Sequence, residues 1–182
     1  MSMGTGVLQP SAPRELGLVI YVITPPRVPI KDSLDRARDV FGPIGIDLVP
    51  TRTYELSSTQ QPLYQHIDVG GCTMGSPISS RKHHSLHSIR YGAGRKGLAV
   101  YFIQSTTPPV NGCSQHPPNT PGALITANAT MWTLAHEIGH VLGLFHSSNK
   151  NALMSRATTS ISGKPSLSFP EVQTLLRSPW LT

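Results

Sequence analysis

Three histidines and a glutamate stand at a spacing that suits metal chemistry. They lie in His136-Glu137-Ile138-Gly139-His140-Val141-Leu142-Gly143-Leu144-Phe145-His146. This is H-E-x-x-H continued through a glycine to a third histidine. On a helix, His136 and His140 fall one turn apart on one face, so their imidazoles can grip one ion. Glu137, beside the first ligand, is within reach of a water that the metal activates and can act as general base. Gly143 can adopt the left-handed conformation that ends a helix and let the chain return His146 as third ligand. Three neutral nitrogens with one position left open make a catalytic zinc site, not a closed structural one.

Such a motif needs a helix, a core to hold it and a cleft over it. Leu134, Ile138, Val141 and Leu142 supply an apolar face for the helix, and Thr130 is its expected cap. Upstream, Leu16 to Ile23 is a nearly unbroken β-branched run, which predicts a strand buried on both faces. Ile30, Leu34, Ala37 and Val40/Phe41 recur at helical spacing, with Asp32 or Ser33 as expected cap and Gly42-Pro43 as stop. Ile46 to Tyr54 alternates like a strand exposed on one side. Strand, helix, strand implies parallel pairing. Leu98 to Gln104 and Ala123 to Ala127 read as two further strands. Tyr64 to Val69 fits a short strand or helix, and Gly70 to Ser80 a loop. Ser168-Phe169-Pro170-Glu171 is a capping box that opens a terminal helix, which Ser178-Pro179 stops and Trp180 anchors.

The 182-residue chain suits one compact domain, with residues 1–13 as a tail or linker and 14–182 as a single catalytic domain. No run of about 18 apolar residues occurs, so no transmembrane span is expected. Met1 to Gly6 lacks the pattern of a signal peptide, which leaves export by another route or as part of a larger protein.

The formal charge is +6, and from Val69 onward nine Lys and Arg face only Glu137 and Glu171. That bias favours anionic surfaces or acidic substrates, but no nucleic-acid motif accompanies it. Carboxylates are too sparse there for calcium. His83 and His87, at i and i+4, could begin a second zinc site. No carboxylate or cysteine completes the set, so a solvated basic loop or helix face is expected. Cys72 and Cys113, the only cysteines, lie in loop-like segments. A disulfide between them is expected, with two free thiols as the alternative, and closing about forty residues would add roughly 3–4 kcal/mol.

With Ala152-Leu153-Met154 following the third histidine, the chain resembles the metzincin zinc peptidases. It is most similar to the matrixin-type branch, which places Ser directly after that histidine, as Ser147 stands here. The resemblance implies one zinc ion held by His136, His140 and His146, Glu137 as general base and acid, and Met154 as an apolar floor beneath the metal. It implies an α/β (α+β) fold: a twisted, mostly parallel sheet of about five strands with an antiparallel edge strand, the active-site helix closing an N-terminal lobe (14–146), and a small C-terminal lobe (147–182) with Met-turn and last helix. The edge strand would pair with an extended peptide. By order it should fall near Val110–Gln115, so Gly112, Cys113 and Ser114, with Ser155 after the Met-turn, are the expected substrate contacts.

Ser155-Arg156 replaces the aromatic and proline residues usual after the Met-turn, and acidic calcium loops, structural-zinc loops and a cysteine-switch propeptide have no counterpart. The function implied is a zinc-dependent endopeptidase acting as a monomer, secreted to an extracellular or periplasmic space. The alternative is a secreted toxin or effector-type zinc domain that works by binding an anionic partner or surface.

Overall fold

The computed structural model describes residues 12–182 apart from 74, 79 and 157, so most of the expected tail over 1–13 lies outside the described residues. In chain order the elements are strand β1 (Arg14–Val22), helix α1 (Ile30–Phe41), β2 (Ile46–Glu55), the one-turn helix α2 (Gln61–Tyr64) and β3 (His66–Asp68). Helix α3 (Arg81–His87), β4 (Leu98–Ile103), β5 (Ser105–Thr107), β6 (Gly112–Cys113), β7 (Gly122–Thr126), α4 (Thr133–Val141) and α5 (Phe169–Leu176) follow.

Five strands form the main sheet in the order β2-β1-β4-β7-β6. All neighbours are parallel except β6, which runs antiparallel to β7 along the edge. This is the α/β architecture expected from the motif, and the antiparallel edge falls inside the 110–115 window. A second, two-stranded parallel sheet joins β3 to β5.

Period-two alternation on the central strands divides the core. Leu16, Leu18 and Ile20 of β1 and Leu98, Val100 and Phe102 of β4 face α1 and α4, meeting Phe41, Leu134, Ile138 and Met154. Val19, Tyr21, Ala99, Tyr101 and Ile103 face the other way, toward Ile67, Val69, Leu86 and Leu124. Every residue of β4 and β7 is buried, which explains their unbroken apolar runs. Strand β2 is the opposite edge. Pro50 sits in it beside a register shift between Leu18 and Val19, the kind of position where a strand tolerates a missing N–H.

Two caps differ from expectation. Pro29, not Asp32 or Ser33, precedes α1, with no side-chain cap bond. Proline's fixed φ starts the turn without one. Thr130 does not cap α4 either: Met131-Trp132 form an intervening turn, and the N-cap is Trp132. Thr130 instead closes that turn, its carbonyl accepting from Thr133 N at 3.1 Å and its N–H donating to Thr133 Oγ1 at 3.0 Å. At the far end, Glu171 Oε2 accepts from Ser168 N at 2.6 Å and Ser168 Oγ at 2.7 Å, so the box that starts α5 forms as read. Beyond it, Trp180 packs half-buried on the core, and Thr182 pairs its main chain with Glu15 at 2.9 and 3.0 Å.

Candidate active site

Helix α4 runs beneath the sheet edge and is buried along its whole length. Its C-terminus carries the geometry that the third histidine requires. Gly143 has φ +112°, Gly143 N donates to His140 O, and Leu144 N donates to Gly139 O, both at 2.9 Å. This pair of bonds is a Schellman motif with glycine at the left-handed position, and it turns the chain so that His146 faces back toward the helix. His136, His140 and His146 then offer ring nitrogens that all lie within 4.8 Å of one another, with His140 Nε2 and His146 Nε2 3.1 Å apart.

The outer side of this cluster fixes its chemistry. His136 Nδ1 stands 2.8 Å from Leu153 O, and His140 Nδ1 2.7 Å from Leu144 O. A carbonyl can only accept, so each Nδ1 carries the proton and each Nε2 keeps its lone pair free for a metal. Burial pushes both rings' pKa below 6.5, His140 to about 4, so both are neutral at pH 7. For His146, burial and then the nearby Arg156 act in the same direction. Three clustered imidazoles whose pKa values all lie below 6.5, two with Nε2 free, fit zinc.

Met154 is fully buried under the cluster. A Cβ added to Gly139 would lie 2.7 Å from Met154 Sδ, so the helix meets the Met-turn at van der Waals contact. Ser147 N donates to Met154 O at 2.8 Å, tying the third ligand's neighbour to that floor.

Glu137 lies on the cleft side of α4. Burial raises its pKa to about 8, with the Ser114 hydroxyl acting in the opposite sense. Strand β6 passes directly across it: a Cβ on Gly112 would come 2.6 Å from Glu137 Oε1. Gly112 and Ser114 line the cleft, which encloses about 660 Å³ together with the three histidines and Glu137.

Two of the expected contacts lie elsewhere. Cys113 is fully buried and joined to Cys72 with an S–S distance of 2.00 Å. Its side chain braces the rim, since Gly71, Cys72 and Thr73 form the facing wall. Ser155 is also buried, in a bridge to Ser147, and does not line the cleft. The residue after it, Arg156, does so instead, with Thr158, Thr133 and Asn111. Asn111 Nδ2 and Thr133 Oγ1 each stand 3.4 Å from Thr158 Oγ1, a polar partition across one end of the cleft. No local signal marks Thr158, because its neighbours come from 25 and 47 residues away.

The histidine-rich segment corrects its reading as a solvated face. His83 and His87 on α3 are 0% and 1% exposed. Their Nε2 atoms lie 3.2 Å apart, and His87 Nε2 is 3.1 Å from Gln115 O. Gly122 makes room for His87, whose ring atoms would stand 2.6 Å from any Cβ there. These histidines therefore buttress the segment that follows β6, and they gather with no third ligand group among the described residues. Burial lowers His83 from 6.5 to about 4 and His87 well below 6.5, against a smaller opposing pull from Asp68 on His83.

The unfolded rings take up protons near 6.5, whereas folded His83 does so only near 4 and folded His87 well below 6.5, so stability is full above 6.5 and lost as pH falls below it. We expect the melting temperature to drop by roughly 5 °C between pH 7 and pH 5. His83→Gln/His87→Gln should flatten that slope. An unchanged slope would show that other groups dominate.

Comparison with known proteins agrees with this geometry. The matrixin family model matches residues 91–172, which span β4 to α5. No curated protein matches the sequence. Among solved structures, the fold is similar to metalloproteinase-II from Bacteroides fragilis, with TM-score 0.61 and 18% identity over 92% of this chain and 54% of that one. It is also similar to archaemetzincin from Methanopyrus kandleri, with TM-score 0.55 and 14% identity over 90% and 94% of the two chains. This chain thus spans about half the length of the first. Family model, fold and histidine triad together show a metzincin-type zinc metallopeptidase resemblance.

Proposed function

We propose that the protein is a zinc-dependent endopeptidase that hydrolyses peptide bonds in an extended substrate, using one zinc ion. The observation that carries this reading is Glu137, a buried carboxyl facing an open cleft immediately beside three clustered histidines, two of which keep their Nε2 lone pairs free for a metal. Bound zinc supplies Lewis acidity for the attacking water and the scissile carbonyl, and its charge favours the ionised form of Glu137.

The chain's own residues do the rest. His136, His140 and His146 hold the metal, with Leu153 O and Leu144 O fixing the first two rings. Glu137 takes the water's proton and returns it to the leaving amine, a shuttle that suits a carboxyl whose pKa burial has moved toward neutrality. Strand β6 has one edge paired to β7, and its other edge is available to a peptide backbone. Gly112, having no side chain, lets that backbone approach Glu137 closely.

A role limited to binding an anionic partner is not favoured, because such a role gives no use to a buried carboxyl that lines the cleft beside the three histidines. The Cys72–Cys113 bond supports work in an oxidising, extracytoplasmic compartment.

The test is a cleavage profile on a proteome-derived peptide library, with zinc and with a chelator. Internal cleavages that vanish on chelation and return with added zinc are expected. A zinc-loaded protein that cuts nothing would defeat the proposal, and release of terminal residues alone would restrict it to exopeptidase action.

A further inference from the structure

Resting on the peptidase reading, we propose that the cleft selects peptides bearing a carboxylate side chain close to the cleaved bond, and that Arg156 is the residue that reads it. Among the ionisable residues lining the cleft, the three histidines are committed to the metal and Glu137 to proton transfer. Arg156 is the one left over. Its side chain is exposed to the cleft and makes no ion pair with any described residue.

Glu137 is the one acid among the described residues lining the cleft. The only acids beyond Asp68 are Glu137, buried behind Gly112, and Glu171, engaged with Ser168 at the start of α5. Arg156 and His146 line the same cleft. A ligand group meeting it is therefore near the reacting bond.

Ser155, before Arg156, and Thr158, further along the chain, are both anchored. Ser155 N donates to Ala152 O at 3.1 Å and bridges to Ser147. Thr158 is buried against Thr133 and Asn111. A carboxylate matches the planar guanidinium fork with two parallel hydrogen bonds. The remaining polar wall, Asn111, Thr133 and Thr158, is neutral. With Glu137 committed to the proton shuttle, a substrate cation would meet Arg156 and the positive charge of a bound metal together. The site thus combines attraction for acids with repulsion of bases.

The test uses zinc-loaded protein and peptides identical except for Glu, Gln or Lys scanned through the positions flanking one cleavage site. At the position Arg156 reads, kcat/KM for Glu should exceed that for Gln by about five- to tenfold, with Lys lowest. Arg156→Gln should bring Glu and Gln within about twofold, and Arg156→Glu should reverse the order in favour of Lys. An order that survives Arg156→Gln, or a wild type indifferent to charge, would overturn the assignment.

If no peptide is cleaved, it is the peptidase reading that fails. Fluorescence anisotropy of the same peptides on zinc-loaded Glu137→Gln then decides the charge question. Tighter binding of the Glu peptide that Arg156→Gln abolishes supports the assignment, and equal or absent binding overturns it.

Discussion

Gly112→Ala is expected to remove most of the cleavage activity while leaving zinc in place. The new Cβ would lie 2.6, 2.7 and 2.8 Å from Oε1, Cγ and Cδ of Glu137. Real Cβ atoms do not approach neighbours that closely, so something must move. Glu137 is buried and cannot swing aside without vacating its place above the ligand cluster. If strand β6 retreats instead, the surface offered to a peptide shifts with it. Displacement of a catalytic group by about 1 Å can lower a rate about 10²-fold, and a loss of at least that size in kcat/KM is expected. The histidines are not touched by the substitution, so metal content measured by atomic absorption should match wild type. Activity within a few-fold of wild type would show that Glu137 is not the group β6 positions.

Glu137→Gln separates chemistry from architecture more sharply. The amide is nearly isosteric and is not a metal ligand, so zinc should stay while kcat/KM falls by about 10²–10⁴-fold. Stability should move the other way. A carboxyl whose pKa rises from 4.5 to about 8 on folding holds more protons in the folded state across that range. Its contribution is present below 4.5 and is lost as pH rises toward 8, opposite in sign to that of His83 and His87. In chelator-treated protein at pH 8, the Gln variant should therefore melt at or above the wild-type temperature. Loss of zinc together with activity, or a clear drop in melting temperature, would mean that Glu137 is mainly structural.

These residues differ in how openly the sequence displays them. The ligand cluster is local: two histidines one turn apart, a glycine to end the helix and a third histidine within reach. Each step depends on neighbours along the chain, so the motif could be read without coordinates. The antiparallel edge strand is implied by the family resemblance, and chain order then puts it between Gln104 and Ala123. The role of Gly112 against Glu137 was not legible, because it depends on how far β6 leans over a helix that begins some twenty residues later.

His83 and His87 mislead for the same reason. Among Arg81, Lys82 and His84 they look solvated, and what buries them is Gln115, Tyr101 and the missing side chain of Gly122. Ser155 and Arg156 were one residue out of phase with expectation. The bridge from Ser155 to Ser147 turns Ser155 inward and gives the cleft to its neighbour.

The outer partners of His136 and His140 are main-chain oxygens, at Leu153 and Leu144. The genetic code has no substitution that deletes a carbonyl. Sites whose histidines lean on aspartate or glutamate can have their metal affinity adjusted one side chain at a time, and this one cannot by that route. The hold on these two rings can drift in evolution through changes that bend the backbone, at Gly143 or at the Met-turn, and those alter the shape of the cleft as well. For these two ligands, metal hold and substrate fit are inherited together.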